Sequence, residues 1–459
     1  LRGDETIGFY NENNALNKYN KSFNTMKIII ADKGNETDDY KSKIANDKLD
    51  IKEDGEEGKI FKSQSNTTGN DERSVDNAIA IVYDANKPSS VMDLAKTDIQ
   101  INANSTNGIG IYAKNGTIKL SGENNDAKII DSFDEKIVNK INENFKNDTN
   151  HVININGGKN NVALYSANDE SEIMYNGNIN INGGKDFEGK ESTDNRAILA
   201  TDQGKIEFQG KLNVGKDGLL ITSNAVVYSD DAEVTIKDST INMYLADNSN
   251  GFYALNPTNT NPQNSQPQIK IEENVEVNLN GNGVGIAAGN GGHIDLSGAN
   301  IKATGLKSAL ASIGNTSYIN AENATITYDG DSYATYSSQK KAKINLNNAT
   351  IKLMGNSYGI ALDYDKANKT YDVKGLMGKV KIEPLSDKAN LFTIKGYKDL
   401  KTSLFKDEGG ALNLQDTIGD FSYEIDRSDP NGRKATLALI DGLENFTIDR
   451  DIDKSLAGQ

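Results

Sequence analysis

The sequence predicts an all-β protein built as a parallel β-helix, a solenoid of about a dozen three-strand coils. Two observations carry this prediction: one motif is written three times at an interval of 25 residues, and apolar residues alternate with polar ones within each copy. The interval is marked by Ile294, Ile319 and Ile344. One such unit cannot bury its apolar face, whereas stacked units can, because each strand then pairs in parallel with its counterpart one coil later.

Each coil is predicted to hold a first, a second and a third strand. The first strand reads as a small residue, an apolar residue, often Tyr, and a turn, with these predicted inward residues: Phe9, Ile81, Ile111, Leu164, Leu199, Val227, Tyr253, Ile286, Leu310, Thr335 and Ile360. The second strand recurs as TIKLSG, EIMYNG and KIEFQG, and the third occurs twice as NINGGK. We assign residues 1–390 to the β-helix and residues 391–459 to a less regular continuation of the solenoid.

The spacing between first strands varies from 24 to 72 residues, which indicates insertions in most coils. Residues 31–75 carry many charges of both signs and predict a solvated flap with one extra hairpin. Residues 122–150 change to a period of about 3.6 and predict a helix on the flank of the rod. Residues 256–268 and 365–378 both follow a first strand, so they should emerge at one edge of the rod, about 20 Å apart.

Composition narrows the class of function. The net charge of −16 and the pI of about 4.8 argue against a surface that binds nucleic-acid phosphates. The absence of Cys argues against a disulfide framework and a thiolate metal site. The sequence contains no window of 18 apolar residues, so it predicts no membrane-spanning helix. We expect no cofactor and no metal site. Because the chain begins at Leu1 with its repeats already under way, we expect it to be a segment of a longer protein.

Binding residues are expected on the irregular loops and on the outward side of the first strands, because a rigid scaffold commonly presents such groups. The candidate ligand-binding residues are Asn256, Pro257, Pro262, Gln263, Tyr364, Tyr371, Tyr112, Tyr165 and Tyr228. The three tyrosines of the first strands follow inward residues, so alternation places them outside, where they can contact a glycan or a protein. The alternative is structural, with rings that cover neighbouring strands and a Pro-rich loop that is only a linker. Asn154 and Asn180 alternate with inward Ile and predict an external amide ladder.

The phrases GIGIYAKNGTIKLSGEN, NGVGIAAGNGGHIDLSGANI and NSYGIALDY resemble the passenger repeats of type V autotransporter adhesins, in particular the large fusobacterial outer-membrane adhesins. The resemblance implies a right-handed β-helix at the bacterial cell surface, exported by a C-terminal membrane barrel that this chain does not contain. It also implies possible classes of partner: immunoglobulin-like receptors on host immune cells, galactose-type glycans, or other bacteria.

The predicted function is therefore a non-catalytic adhesin segment that binds host-cell receptors or glycans through loops on a β-helix rod. One alternative is coaggregation between bacteria or self-association. A second alternative is a β-helix polysaccharide lyase or glycoside hydrolase, for which Asp230 with Asp231, or Asp363 with Asp365, would be the acidic pair. The Gly-His-Gly and Arg-Ile-Lys companions typical of polygalacturonase-like enzymes are missing from the sequence.

Overall fold

The chain forms a parallel β-helix in a computed structural model, as the 25-residue repeat predicts. The structure describes residues 7–11, 26–30, 52–53, 56–57, 75–84, 91–93, 97–120, 151–185, 189–365, 370–372, 374–386, 389–395, 421–425 and 435–439. The predicted helix at 122–150 lies outside the described residues, as does most of the flap at 31–75.

The strands are numbered along the chain. The N-terminal half of the rod contains β1 (Ile7–Asn11), β2 (Met26–Ile30), β3 (Lys52–Glu53), β4 (Glu56–Glu57), β5 (Val75–Asp76), β6 (Ile79–Asp84), β7 (Val91–Asp93), β8 (Thr97–Ile101), β9 (Ser105–Thr106), β10 (Ile109–Leu120), β11 (His151–Ile155), β12 (Val162–Ser166), β13 (Ser171–Ile181), β14 (Arg196–Thr201), β15 (Lys205–Val214), β16 (Val227–Asp230) and β17 (Glu233–Leu245).

The C-terminal half continues the series and includes one 3-10 turn, Pro262–Asn264. Its strands are β18 (Asn250–Leu255), β19 (Ile269–Ile271), β20 (Glu276–Gly281), β21 (Val284–Ala288), β22 (His293–Asp295), β23 (Asn300–Thr304), β24 (Ser308–Ser312), β25 (Ser317–Asn320), β26 (Thr325–Gly330), β27 (Tyr333–Ser337), β28 (Ala342–Asn345), β29 (Ala349–Gly355), β30 (Tyr358–Asp365), β31 (Thr370–Asp372), β32 (Leu376–Pro384), β33 (Asn390–Lys395), β34 (Phe421–Ile425) and β35 (Ala435–Leu439).

Twelve first strands stack in parallel into one sheet. They are β1, β6, the first half of β10, β12, β14, β16, β18, β21, β24, β27, β30 and β33. The second and third strands form two further parallel stacks, and the long strands β10, β13, β15, β17 and β32 each contribute to two stacks. The described residues contain no helix that is long and apolar enough to cross a membrane.

The interior of the rod is a set of apolar ladders. Ile294, Ile319 and Ile344 are in-register neighbours and are fully buried, which confirms the predicted inward direction of this position. Tyr175 and Phe208 stack inside the rod with their ring centroids 6.0 Å apart. Each coil therefore supplies one rung, and its burial depends on the coils before and after it.

One corner of the rod buries polar side chains, at the turn from a third strand to the next first strand. Asn161 is fully buried there, and its Oδ1 accepts hydrogen bonds from Ser105 Oγ and the Gly108 N–H, both at 2.8 Å. Its Nδ2 donates to the carbonyl oxygens of Ser105 and Gly157, both at 3.1 Å. In the next coil Asn195 Oδ1 accepts the backbone N–H of Asn161 at 2.9 Å. Because buried amides need hydrogen-bond partners, this corner determines how coils follow one another.

An amide ladder runs along the outside of the third-strand stack, as predicted. Each Nδ2 donates to the Oδ1 of the preceding coil, at 2.8, 2.9, 3.1 and 3.0 Å in turn, through Asn154, Asn180, Asn213, Asn242 and Asn278.

The C-terminal end departs from the parallel arrangement. β33 still pairs in parallel with β30, but β35 pairs antiparallel with β32, and β34 pairs antiparallel with β35. The parallel arrangement of the coils therefore extends through β33, whereas β35 runs against the direction of the coils. The antiparallel pair of β34 and β35 occupies an edge of β32 that a further coil would otherwise use.

Candidate functional site

The outward side of the first-strand sheet carries a continuous column of large side chains. Tyr112, Tyr165, Leu199, Tyr228 and Tyr253 occupy the same position in five consecutive coils, each the in-register neighbour of the next. All five are partly exposed, because the buried residue before each of them points into the rod. We call these five residues the tyrosine column. At about 4.8 Å between paired strands, the column extends for roughly 20 Å.

The rings stack wherever two tyrosines are direct neighbours. The ring centroids of Tyr112 and Tyr165 are 5.0 Å apart with an interplanar angle of 10°, and those of Tyr228 and Tyr253 are 5.8 Å apart at 17°. Leu199 separates the two pairs, so the faces of Tyr165 and Tyr228 that look towards it have no ring against them. The column is thus two stacked pairs with a gap one coil wide between them.

Two of the predicted inward residues belong to this column instead. Leu199 and Tyr253 are partly exposed, and the residues that point inward in their strands are Ile198 and Phe252, both fully buried. In each strand two large apolar residues are adjacent, and a shift of one residue in a strand exchanges its two faces. The assignment at these two positions was wrong by one residue, and the true register adds both side chains to the outward face.

The column has definite ends in the sheet. On the N-terminal side its position is taken by Val82, which is 3% exposed, and beyond Tyr253 it is taken by Ala287 and Ala311, at 2% and 4%. Tyr336 occupies the same position one coil further on. The large outward side chains are therefore contiguous from Tyr112 to Tyr253.

Polar groups border the column at the ends of its strands. The hydroxyl of Tyr228 donates to Asp230 Oδ2 at 3.4 Å, and the hydroxyl of Tyr165 lies 3.4 Å from Thr201 Oγ1. Burial, and then the charge of Asp230, raise the pKa of Tyr228 to about 12, so its hydroxyl keeps its proton at neutral pH. Burial is also the main cause that raises the pKa of Asp230, with smaller contributions from Asp202 and Asp231, against the Tyr228 hydrogen bond. The column can therefore offer hydroxyl donors as well as ring surface.

The loop of residues 256–268 is anchored to the rod at its start. The backbone N–H of Asn256 donates to the carbonyl oxygen of Asn290 at 3.0 Å, in the next coil. Its side-chain Nδ2 donates to Asp231 Oδ1 at 2.7 Å, in the preceding coil. Thr316, two coils further along, reaches the carbonyl oxygen of Asn259 at 3.5 Å. The loop therefore spans several coils and is not a free linker.

This anchoring divides the four candidate residues of the loop. Asn256 is 8% exposed, and Pro262 is buried at the start of the 3-10 turn, so neither offers a surface to a ligand. Pro257 and Gln263 are exposed. Asn256 and Pro262 are therefore buried anchors of the loop, and Pro257 and Gln263 are the two candidates that it presents to solvent.

His293 holds the far end of the same loop. Its Nδ1 lies 2.9 Å from the carbonyl oxygen of Ser265, and its backbone N–H donates to Gln268 Oε1. Burial lowers the pKa of His293 below its ordinary value of 6.5, against smaller opposing effects of Ser265 and Asp295. The folded chain thus favours the neutral imidazole, which donates from Nδ1 to Ser265.

We expect this loop to make stability depend on pH. The unfolded chain binds a proton on His293 more readily than the folded chain, so the free energy of unfolding falls as the pH drops below 6.5. The Tm of the parent should therefore fall more between about pH 7 and about pH 5 than that of His293→Gln, which cannot titrate. Equal losses of Tm in the two proteins would contradict this role of His293.

The second candidate loop, 365–378, is largely part of the scaffold. Tyr364 and Tyr371 are register partners in an antiparallel pairing of β30 with β31, so the chain doubles back as a hairpin at this edge. Leu376 and Met377 then pair in parallel with the second strand of the preceding coil. The hairpin leaves its first strand four coils beyond β18, which supplies the other loop, as predicted.

The acidic residues that a lyase or hydrolase would use lie in turns and strands and take part in hydrogen bonds or strand pairing. Asp231 adopts a positive φ of 48° in the turn after β16, and its carboxylate accepts the Asn256 hydrogen bond. Asp230 accepts the Tyr228 hydroxyl. Asp363 and Asp372 are register partners in the hairpin. Within the described part of the chain, no three His, Cys, Asp or Glu side chains are grouped so that they could hold a metal ion.

Comparison of the chain with protein-family models, with curated proteins and with solved structures found no match in any of the three.

Proposed function

We propose that this chain is a non-catalytic segment of a bacterial surface adhesin, and that the tyrosine column binds a host-cell receptor or glycan. The observation that carries the proposal is the column itself: five large side chains, contiguous and partly exposed, on one face of a rod. The resemblance of the repeats to autotransporter passengers supports a place at the bacterial cell surface.

The composition of the column suits recognition. Tyrosine is enriched at binding surfaces because it combines a rigid apolar ring with a hydroxyl that donates or accepts a hydrogen bond. Four of the five side chains are tyrosines, and the hydroxyl of Tyr228 is protonated at neutral pH.

The scaffold makes the column rigid before any ligand arrives. β12, β14 and β16 are paired on both sides, so the backbone beneath the central residues has little freedom. Stacking of each tyrosine pair restricts the rings further. A preorganised surface loses less conformational entropy on binding, which favours affinity without a conformational change.

A double substitution tests the proposal. Tyr165→Ala with Tyr228→Ala should weaken binding of the purified chain to host cells at least tenfold, because truncation of buried aromatic contacts typically costs about 2 kcal/mol or more at interface centres. Binding is measured by titration with labelled protein in flow cytometry, and the Tm is measured in parallel.

The matched control is Tyr244→Ala, on β17 of the same coil as Tyr228 but on the third-strand face. We expect it to leave cell binding unchanged. Unchanged binding by the double variant would refute the proposal. Loss of binding to other bacteria, with no binding to host cells at all, would instead indicate interbacterial coaggregation. Release of oligosaccharides from a polysaccharide by the parent chain would indicate the enzymatic alternative.

A further inference from the structure

Arg196 lies at the centre of the tyrosine column. It begins β14, three residues before Leu199, in the coil that forms the gap between the two stacked tyrosine pairs. It is the only arginine between residues 74 and 426. Its guanidinium carbon lies 5.3 Å from the centroid of the Tyr228 ring, which is a cation–π contact. We call the group of Tyr165, Arg196, Leu199 and Tyr228 the arginine gap.

Among the described residues, the guanidinium of Arg196 has no carboxylate partner. Its Nε is buried and makes no hydrogen bond, and within the described part of the chain no carboxylate forms an ion pair with the group. The residue as a whole is partly exposed, so its accessible surface belongs to its other atoms. Arginine stays charged at any physiological pH, and a buried donor without an acceptor is unfavourable. The free chain therefore keeps an unsatisfied cation in the gap.

Several other cations on the rod are paired with carboxylates. Lys114 lies 2.8 Å from Asp84 at the edge of the same face, and Lys237 lies 2.7 Å from Glu207 on another face. Asp230 accepts the Tyr228 hydroxyl and, among the described residues, forms no ion pair with Arg196. Arg196 thus differs from these paired lysines in having its charge available to a ligand.

We propose that the arginine gap binds a carboxylate-bearing sugar of a glycan, such as a sialic or uronic acid. This inference rests on the proposed binding function of the tyrosine column and names the chemistry of its ligand. The planar fork of arginine matches the two oxygens of a carboxylate, and Tyr228 holds that fork in place. The sugar ring lies against Leu199 and the face of the Tyr165 ring beside it, which offer apolar surface to its C–H bonds.

An acidic peptide fits this place less well. Extended peptides commonly add a strand to an open sheet edge and use its backbone groups. β14 pairs with β12 on one side and with β16 on the other, so the backbone groups here are already used. Only side chains face the ligand, and they are an arginine flanked by apolar and aromatic surface.

The charge of the chain also limits the ligand. A net charge of −16 repels a polyanion, so one cation cannot hold a highly sulfated polysaccharide against that field. A glycan that carries a single carboxylate at the bound sugar avoids this repulsion. We therefore expect a glycan with one sialic acid or one uronic acid to bind more tightly than heparin-like chains.

The experiment compares matched glycans on the full chain and on Arg196 variants. The probes are sialylated N-acetyllactosamine, the same glycan without sialic acid, a disaccharide that ends in one glucuronic acid, and the methyl ester of that disaccharide. In the parent chain, each carboxylate form should bind at least tenfold more tightly than its neutral partner. Arg196→Gln should abolish this preference, and Arg196→Lys, which keeps the charge but loses the fork, should restore only part of it.

Lys211→Gln is the matched control, because it removes one exposed cation from the third-strand face of the same coil. It should leave the preference intact. An Arg196→Gln protein that melts like the parent yet keeps the full preference would overturn the inference, as would equal binding of each acidic and neutral pair by the parent.

Binding to acidic peptides but to none of the glycans would also overturn it. Failure of the proposed function would give a different result: the Tyr165 and Tyr228 double variant would bind host cells as well as the parent does. Cell binding that depends on the column, without any preference for carboxylates, would refute the acidic ligand alone.

Discussion

Replacement of Ile319 by Asp should lower the free energy of unfolding by about 3 kcal/mol or more. Ile319 is fully buried and stands in register between Ile294 and Ile344, which are also fully buried. A carboxylate at this position has apolar side chains on both sides, so it must either lose its charge or open the coil. Thermal or urea unfolding followed by circular dichroism measures the loss.

Thr327→Asp is the matched control for this substitution. Thr327 lies on the outward side of β26 in the same coil, in register between Lys302 and Lys352. A new carboxylate there faces two cations and water, so we expect a change within about 0.5 kcal/mol. If Ile319→Asp and Thr327→Asp unfolded at the same midpoint, the inward ladder would not be the source of stability.

Replacement of Asn161 by Ala should cost roughly 3 kcal/mol. The change removes a fully buried amide that makes four hydrogen bonds, and it leaves the Gly108 N–H and the carbonyl oxygens of Ser105 and Gly157 without this partner. Buried groups that lose a partner bear the cost of their desolvation. Urea denaturation should show a lower midpoint with little change in slope.

Asn180→Ala provides the comparison on the outside of the rod. Asn180 makes two amide-ladder hydrogen bonds, at 2.8 and 2.9 Å, but it is partly exposed, so water can replace the lost partners. We expect a cost of about 1 kcal/mol or less. An equal cost at the two positions would mean that burial of the polar corner is not what makes Asn161 important.

The two stability predictions concern the scaffold, and the binding experiments concern one face of it. This separation is a property of solenoids, in which inward positions support the stack while outward positions are free to vary. Tyr165, Tyr228 and Arg196 can therefore be changed with little effect on unfolding, and a loss of binding in those variants can be assigned to the surface.

Much of the scaffold was predictable because the repeated sequence shows the pattern of strands directly. The inward direction of Ile319, the outward direction of Tyr112, Tyr165 and Tyr228, and the external amide ladder all follow from alternation within a strand. The hydrogen bond between Asn256 and Asp231 could not be predicted from alternation. Asp231 lies 25 residues earlier in the chain, and the two residues meet only through stacking of adjacent coils.

The outward face for which we propose binding was predicted only in part. Where two large apolar residues adjoin, as in Ile198–Leu199 and Phe252–Tyr253, alternation cannot decide which of them points inward. The positions of the neighbouring coils decide it, because the interior accepts the residue that continues the existing ladder. The result places Tyr253 beside Tyr228 and leaves a gap at Leu199.

By itself, the sequence determined the parallel β-helix, its period and the alternation of inward and outward residues, because these depend on local patterns repeated at a constant interval. Only the tertiary structure decided which side chains from distant coils meet: Arg196 over Tyr228, Asn161 among the carbonyl oxygens of its corner, and His293 beneath its loop. The physical reason is that insertions of unequal length separate the coils along the chain, whereas hydrogen bonding between strands brings every coil to the same spacing in space.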